Sequence, residues 1–291
     1  MKLILMNKEG LITKGVGGEY TVVCGEEVYI CTARGVFRNR QITPFVGDYC
    51  VIDTNKKAIS SIKPRKNILR RPPVANIDQV IVTMAAAKPD FSAGLLDRLL
   101  VIAAYENVEA AICINKYDLH NGADVYSHYK KAGYPLVFVS TVSGFGLDEL
   151  AKLTEGKLNV FAGPSGVGKS SLINALIPGA TMETGDISHK LKRGKHTTRH
   201  AEILTHGAGY IVDTPGFSSL EVEGIPAEAL GGCFPEFESF FGQCKFNNCL
   251  HDAENDCAIK EQVGKAIHPG RYWSYLGFLR DGKEGKPHKK K

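Results

Sequence analysis

The chain has 291 residues, 43% of them hydrophobic and 23% charged, with a net charge of +5. That length allows one to three domains with a substantial core, and no apolar run reaches the ~18 residues that span a membrane. The opening "MKLILMNKEGLI" lacks the long apolar region and small-residue cleavage site of a signal peptide, so a cytoplasmic protein without a membrane partner is expected.

Residues 1–68 carry short β-rich runs: "GLITKGV", "EYTVVC", "EVYICTA", "DYCVIDT" and "KAISSIK". Gly25-Glu26 and Thr54-Asn55 supply turn signals between them. Five short strands in so little chain suit a small barrel of the oligonucleotide-binding (OB) type, with an SH3-like barrel as the alternative. Cys24, Cys31, Cys50 and the later Cys113 lie among apolar residues and read as buried free thiols. "RRPPVAN" (70–76) reads as a stiff linker, because paired prolines restrict the backbone.

From Ile77 the pattern changes. "DQVIVTMAA" is a nearly continuous apolar run, as in a strand buried on both faces. "SAGLLDRLLVIAAYEN" has helical spacing, and "VEAAICINKYD", "SHYKKAG", "PLVFVS", "GLDELAKL" and "LNVFA" then alternate strand and helix. Residues 69–220 therefore read as a mostly parallel α/β sheet. Residues 221–291 begin acidic and rich in Gly and Phe, then crowd three cysteines, then turn helical in "AIKEQVGKAI" and "GRYWSYLGFLRD". Tyr272, Trp273 and Tyr275 in the last segment read as core residues.

Three patterns in the middle unit carry chemistry. The first is Gly163, Pro164, Ser165, Gly166, Val167, Gly168, Lys169 and Ser170, then Ser171, between strand "LNVFA" and helix "SSLINALI". This is the phosphate-loop pattern G-x-x-x-x-G-K-[ST]. Its glycines let backbone N–H groups turn toward phosphates at a helix N-terminus. Lys169 would reach the β- and γ-phosphates, and the Ser170 hydroxyl would bind Mg²⁺. The second is "YIVDTPG", where an apolar strand delivers Asp213 to the sheet's carboxyl edge about 40 residues after the loop. There it would hold Mg²⁺ through water, and Gly216 would bring its N–H to the γ-phosphate. The third is Asn115, Lys116, Tyr117 and Asp118, the guanine-reading pattern N-K-x-D. A buried Asp118 would accept from guanine N1–H and the exocyclic amine, a donor pair that adenine lacks.

More than half of the chain precedes the phosphate loop. The base-reading motif normally follows the phosphate motifs, and here it comes first. The domain therefore reads as circularly permuted, which a sheet tolerates because domain termini commonly lie close together. The Gln that often follows D-x-x-G to orient the attacking water is replaced by Phe217. The segment between Pro178 and Leu204 is the alternative source of chemistry. Within it, Thr198 would complete Mg²⁺ coordination, or Thr197 by one residue. His196 is a candidate to orient water; an RNA-facing or merely solvated His196 is the other reading.

Cys244, Cys249, His251 and Cys257 form C-x4-C-x-H-x5-C, a closed donor set for one structural Zn²⁺ without an open catalytic position. Cys233 and His268 are the competing ligands. Basic residues cluster in "KPRKNILRR" (63–71), "HKLKRGKHTTRH" (189–200) and the tail, which together favour a nucleic-acid partner.

"NKYD", "GPSGVGKSS", "HTTRH", "DTPGF" and "CKFNNCLHDAENDC", in that order, resemble the RsgA (YjeQ/YloQ) family of bacterial GTPases that depend on the small ribosomal subunit. The resemblance covers essentially the whole chain. It implies an α/β fold: a circularly permuted P-loop GTPase domain (69–220), an N-terminal OB-type β-barrel (1–68) and a C-terminal zinc-binding helical domain (221–291). It also implies a monomeric late-stage maturation factor that binds the 30S subunit and its 16S rRNA and hydrolyses GTP to GDP there, and it supports His196 as the water-orienting group. The chain departs from the Ser-Ala-Lys motif of many GTPases: Ser140-Thr141 in "VSTVSGFG" match it best, with a role left open against a simple strand-ending turn. Two other readings stand beside this one: a P-loop ATPase or kinase with structural zinc, and an RNA-binding P-loop protein that uses nucleotide only as a conformational latch.

Overall fold

The computed structural model describes residues 7–33, 37, 43–70, 73–120, 126–177, 179–180, 201–213 and 224–284. Strands β1 (Asn7–Val16), β2 (Glu19–Cys24), β3 (Glu27–Ala33), β4 (Tyr49–Asp53) and β5 (Ala58–Ile62) form the expected barrel. It closes on itself: β1 pairs with β2 and β4, β2 with β3, β4 with β5, and β3 runs parallel to β5. The alternating residues Ile12, Val22, Cys31, Cys50, Ile52 and Ile59 fill its interior. Cys24, Cys31, Cys50 and Cys113 are free and buried, as their apolar surroundings predict.

The predicted linker at 70–76 is instead a packed joint. β6 (Ile68–Arg70) and β7 (Pro73–Ala75) make a two-stranded ribbon with Leu69, Val74 and Ala75 buried. Pro73 heads its short strand, a position where the missing N–H interrupts no ladder. Asn76 donates to the Gly47 carbonyl at 2.8 Å and stitches the joint to the barrel.

The basic cluster at 63–71 is also changed by its neighbours. Arg65 grips the buried Asp48 with two hydrogen bonds of 2.6 and 2.7 Å. Lys63 pairs with Glu9, and Lys66 with Asp78. Three of the five cations already face carboxylates, so this segment is a poorer phosphate surface than its sequence suggests.

Next come β8 (Gln79–Ala85), α1 (Ala93–Tyr105), β9 (Glu109–Asn115), α2 (Ser127–Lys131), β10 (Leu136–Phe138), α3 (Leu147–Thr154), β11 (Leu158–Ala162), α4 (Lys169–Leu176), β12 (Glu202–His206) and β13 (Gly209–Asp213). The spatial order is β10-β9-β8-β11-β13-β12, parallel except for β12. Counted from β11 and wrapped round, this is 6-5-4-1-3-2, a doubly wound order with its switch point at β11. Alternation along β8 divides the layers. Val80, Val82 and Met84 pack on Leu96, Leu99 and Leu100 of α1, while Ile81 faces Leu150 of α3 and Leu172 and Ile173 of α4. Ser92 caps α1 by accepting from the Leu95 N–H at 3.3 Å. The barrel joins this sheet through β1, which pairs with β12 at Lys14↔Glu202, where the two side chains form a 2.7 Å ion pair.

The C-terminal module holds α5 (Ala227–Leu230), α6 (Ala258–Glu261) and α7 (Pro269–Glu284). The predicted helix 258–267 stops at Glu261 because Gly264 turns left-handed (φ 83°). Tyr272 and Tyr275 are core residues as expected, but Trp273 is 65% exposed. The module packs on Val101 and Ile102 of α1. At the seam Arg271 is buried against Asp97 of α1 (2.7 Å) and Glu236 (2.7 Å). Tyr129 also donates to Asp97, at 2.9 Å. Burial opposes the Arg271 charge, yet the Glu236 hydrogen bonds and the neighbouring Tyr134 and Asp97 raise its pKa above the usual guanidinium value.

Arg271→Ala leaves two carboxylates buried without a counter-charge, a loss expected to cost about 3–5 kcal/mol. Urea unfolding followed by fluorescence of Trp273, the sole tryptophan, should show a lower midpoint. An unchanged midpoint would mean that Asp97 and Glu236 are satisfied without the arginine.

Candidate functional site

Two loops meet at the carboxyl edge of the sheet, on either side of β8. One leaves β11 and the other leaves β9. The β11 loop turns at Gly163 (φ 147°), packed so closely that a Cβ would lie 2.0 Å from the Thr83 carbonyl oxygen of β8. It ends at Gly168 (φ 93°), where a Cβ would meet the Asn115 amide at 2.4 Å. Backbone and neighbouring strand leave no room for a side chain at either place. Val167 is fully buried and anchors the loop beneath. Lys169 opens α4 and folds back to donate to the Gly163 and Pro164 carbonyls, both at 2.8 Å. Burial lowers its pKa. Ser165 is exposed, while Pro164, Ser170 and Ser171 are half-buried around the same turn.

The second loop is locked to the first. Asn115, at the end of β9, is 1% exposed and donates to the Val167 carbonyl at 2.9 Å. Its Oδ1 is buried without a hydrogen-bond partner, as no other side-chain polar atom is among the described residues. A buried unpaired acceptor is costly, and here it lies where a ligand donor could satisfy it. Lys116, with φ 59°, donates to the Gly166 carbonyl at 2.6 Å and to that of Lys88. Tyr117 stacks on Phe145 with centroids 5.5 Å apart.

Asp118 is exposed rather than buried. Its carboxylate accepts from the Ser140 hydroxyl at 2.6 Å, and that hydroxyl in turn accepts from the N–H groups of Val142 and Ser143. Ser140 is thus a positioning partner for Asp118, more than a strand-ending turn. The sequence offered it only as a partial motif match.

β13 lies beside β11 in parallel, with Val160 opposite Val212, so the backbone of Asp213 reaches the same edge as the phosphate loop. The Asp213 side chain, Thr197, Thr198, His196, Gly216 and Phe217 lie outside the described residues, as do 189–200 and the basic tail.

The second cluster lies in the C-terminal module. The ligating atoms of Cys244, Cys249, His251 and Cys257 all fall within 4.8 Å of one another. Cys244 and Cys257 Sγ are 3.8 Å apart, and His251 Nδ1 is 3.6 and 3.4 Å from them. With Zn–S near 2.3 Å and Zn–N near 2.0 Å, a tetrahedron has edges of about 3.5–3.8 Å. The donor set therefore fits a metal ion by both chemistry and spacing. His251 has φ 56°, and its loop is held by Tyr272 to the His251 carbonyl (2.8 Å) and Tyr275 to the Leu250 carbonyl (2.6 Å). Glu254 accepts from the Leu250 and Asp252 N–H groups at 2.8 and 2.9 Å. Burial raises the pKa of the Cys249 thiol, with the neighbouring Cys257 and Cys244 thiols adding to the effect, and a cation among them would oppose it. Neither competitor joins the set: Cys233 faces the Ala229 carbonyl, and His268 stacks on His128 at 3.9 Å.

A phosphate loop at the switch point, a base-reading motif locked beside it and this strand order define a circularly permuted P-loop GTPase. The family model described as "RsgA GTPase" matches residues 62–223, and "RsgA N-terminal domain" matches 9–62. A relative from Alkaliphilus metalliredigens (strain QYMF), named small ribosomal subunit biogenesis GTPase RsgA, is 43% identical over 96% of this chain and 99% of its own. One of the same name from Clostridium botulinum (strain Langeland / NCTC 10281 / Type F) is 44% identical over 94% and 97%. The crystal structure of YloQ, a circularly permuted GTPase, superposes with a TM-score of 0.82 at 36% identity, covering 99% of both chains. That of YjeQ from Thermotoga maritima gives 0.83 at 33% identity, covering 97% of this chain and 100% of that one. The chain belongs to the RsgA GTPase family.

Gly163→Ala is expected to force β11 away from β8, since its Cβ would meet backbone that no rotamer change can move. The cost should be about 1–3 kcal/mol from backbone conformation alone. Thermal melts with and without a non-hydrolysable GTP analogue should show lower stability and loss of the ligand-induced shift. A variant with the parental melting temperature and shift would contradict this packing.

Proposed function

We propose that this chain is a cytoplasmic, monomeric GTPase that binds the 30S ribosomal subunit, contacts its 16S rRNA and hydrolyses GTP to GDP and phosphate late in subunit maturation. The observation that carries the nucleotide reading is the pair of hydrogen bonds from Asn115 and Lys116 into the phosphate loop. Base-reading and phosphate-reading groups then face one ligand. Asp118, oriented by Ser140, would select guanine, and the base itself would cover the exposed carboxylate. The ribosomal role rests on the names of the close relatives.

We divide the chain at 1–68, 69–220 and 221–291, near the edges of the two family matches. In the middle unit, N–H groups from Gly163 to Ser171 would cradle the phosphates, with Lys169 swinging from its carbonyl partners to the β- and γ-phosphates. Ser170, Thr198 (or Thr197) and Asp213 would hold Mg²⁺, which supplies charge neutralisation during phosphoryl transfer. Gly216 would offer its N–H to the γ-phosphate. With Phe217 unable to donate or accept, His196 is assigned to orient water when the subunit is bound. Cys244, Cys249, His251 and Cys257 would hold one Zn²⁺, whose role is structural because four protein ligands close its coordination.

The decisive measurement is hydrolysis of GTP and ATP with and without purified 30S subunits, for the parent chain beside Asp118→Asn and His196→Ala. The parent should hydrolyse GTP only, slowly alone and about a thousandfold or more faster with subunits. Asp118→Asn should lose GTP preference. His196→Ala should keep GTP affinity and subunit binding but lose most of the stimulation. Subunit binding that depends on nucleotide without any stimulated turnover would instead favour the latch reading.

Chelation of the metal should unfold the C-terminal module while GTP binding persists. The binding energy of such sites, about 10–16 kcal/mol, is at least the stability of a small domain. Elemental analysis without zinc, or Trp273 fluorescence unmoved by chelator, would remove the assignment.

A further inference from the structure

A cavity of about 430 Å³ opens on the C-terminal module, its floor formed in part by Cys244, Cys249 and His251 of the cysteine–histidine cluster and its outer wall by Glu228, Phe241 and Phe246. Volumes of this order take small ligands or an anchoring side chain. Two large aromatic rings stand at it, Phe241 and Phe246, 43% and 45% exposed. Contiguous apolar surface left in solvent and rimmed by polar groups can mark a contact site. Gly232 and Gly242 also line it, with open space where a side chain would stand, which leaves its wall open to close approach.

Charge decides what fits. Residues 224–284 contain nine Asp and Glu against six Lys and Arg, the reverse of the basic whole chain. Half of those cations are committed. Lys245 pairs with Asp256 at 2.8 Å, Lys260 donates to the Asp252 and Glu254 carbonyls, and Arg271 is buried between Asp97 and Glu236. Glu228 lines the cavity, and Glu238 lies one turn before Phe241. Both are exposed, and neither makes an ion pair among the described residues. A phosphate backbone needs uncommitted cations; at this rim Lys245, which lies over the Phe246 ring, already faces Asp256, while Glu228 and Glu238 face solvent.

We propose that this cavity docks a cationic segment of a protein partner. An apolar side chain of the segment would enter beside Phe241 and Phe246, and its lysines or arginines would face Glu228 and Glu238. The proposal goes beyond the GTPase reading, and its failure would leave that reading untouched. It gives the C-terminal module an acidic, aromatic surface for protein, opposite in charge to the basic sequence segments at 189–200 and in the tail.

The test is fluorescence anisotropy on the full-length, zinc-loaded protein. The probes are a lysine- and arginine-rich peptide with one leucine, the same peptide with its lysines acetylated, and a single-stranded oligouridine. The cationic peptide should bind, and acetylation should weaken it. The Phe241→Ser/Phe246→Ser double variant should lose about tenfold in affinity, as expected for aromatic anchors. Glu228→Gln, a surface change that keeps the fold, should weaken binding and flatten its salt dependence. Zinc content and GTP binding should stay at parental values in both variants. No peptide binding, or equal binding by parent and variants, would overturn the proposal. So would oligouridine binding that the same substitutions weaken, which would make the surface an RNA site.

Discussion

The hydrogen bond from Asn115 to the Val167 carbonyl is the constraint on which the site depends. It joins loops that are 52 residues apart in the chain and come from different strands. Lys116 reinforces it from the Gly166 side. Both bonds require the two loops to approach within one side-chain length, and that is why Gly168, whose Cβ would meet the Asn115 amide, carries none; Gly163 answers instead to the Thr83 carbonyl of β8. A parallel sheet brings every strand's carboxyl end to one edge. Given that edge, the motifs need only leave neighbouring strands, and their order in the chain is immaterial. Permutation preserves the site because the sheet, not the sequence order, sets these distances.

Permutation does change what the sheet is tied to. β12 and β13 become the last strands of the middle unit. β12 pairs with β13 on one side and with β1 of the barrel on the other. The segment 189–200 leads directly into β12, and β13 ends at Asp213. The barrel thus rests on the strand nearest in sequence to "HTTRH". At the far side, α1 follows β8 and carries Asp97 into the Arg271 cluster. The two flanking units therefore grip different layers of one sheet.

Much of this was legible in the sequence. The barrel strands announce themselves through short alternating runs with turn residues between, and the sheet strands through continuous apolar runs, because both signals are local. The convergence of Cys244, Cys249, His251 and Cys257 was legible because short spacing limits what they can do other than meet. Signals that depend on distant partners were not. The prolines of 70–76 look like a linker until Val74 and Ala75 are seen buried against Val46. The cations of 63–71 look free until Asp48, Glu9 and Asp78 arrive from other strands. Trp273 looks like core because its size suggests burial, yet α7 turns its tyrosines inward and leaves the indole outside. Ser140 was ambiguous because a single hydroxyl has no pattern; only its 2.6 Å contact identifies its partner.

The cysteine–histidine cluster and the Arg271 cluster address one problem in two ways. The C-terminal module is small, and its apolar core is shared with α1 rather than closed by itself. Modules of that size commonly need a cross-link or a metal. The cysteine–histidine set would supply the internal cross-link, with Tyr272 and Tyr275 holding its loop from α7. Arg271, one residue before Tyr272 on the same helix, anchors the seam to the GTPase unit. Successive residues of one helix thus serve opposite directions, inward to the cysteine–histidine loop and outward to Asp97. A rotation of α7 that loosened one would loosen the other, so the order of the cysteine–histidine loop and the docking of the module stand or fall together.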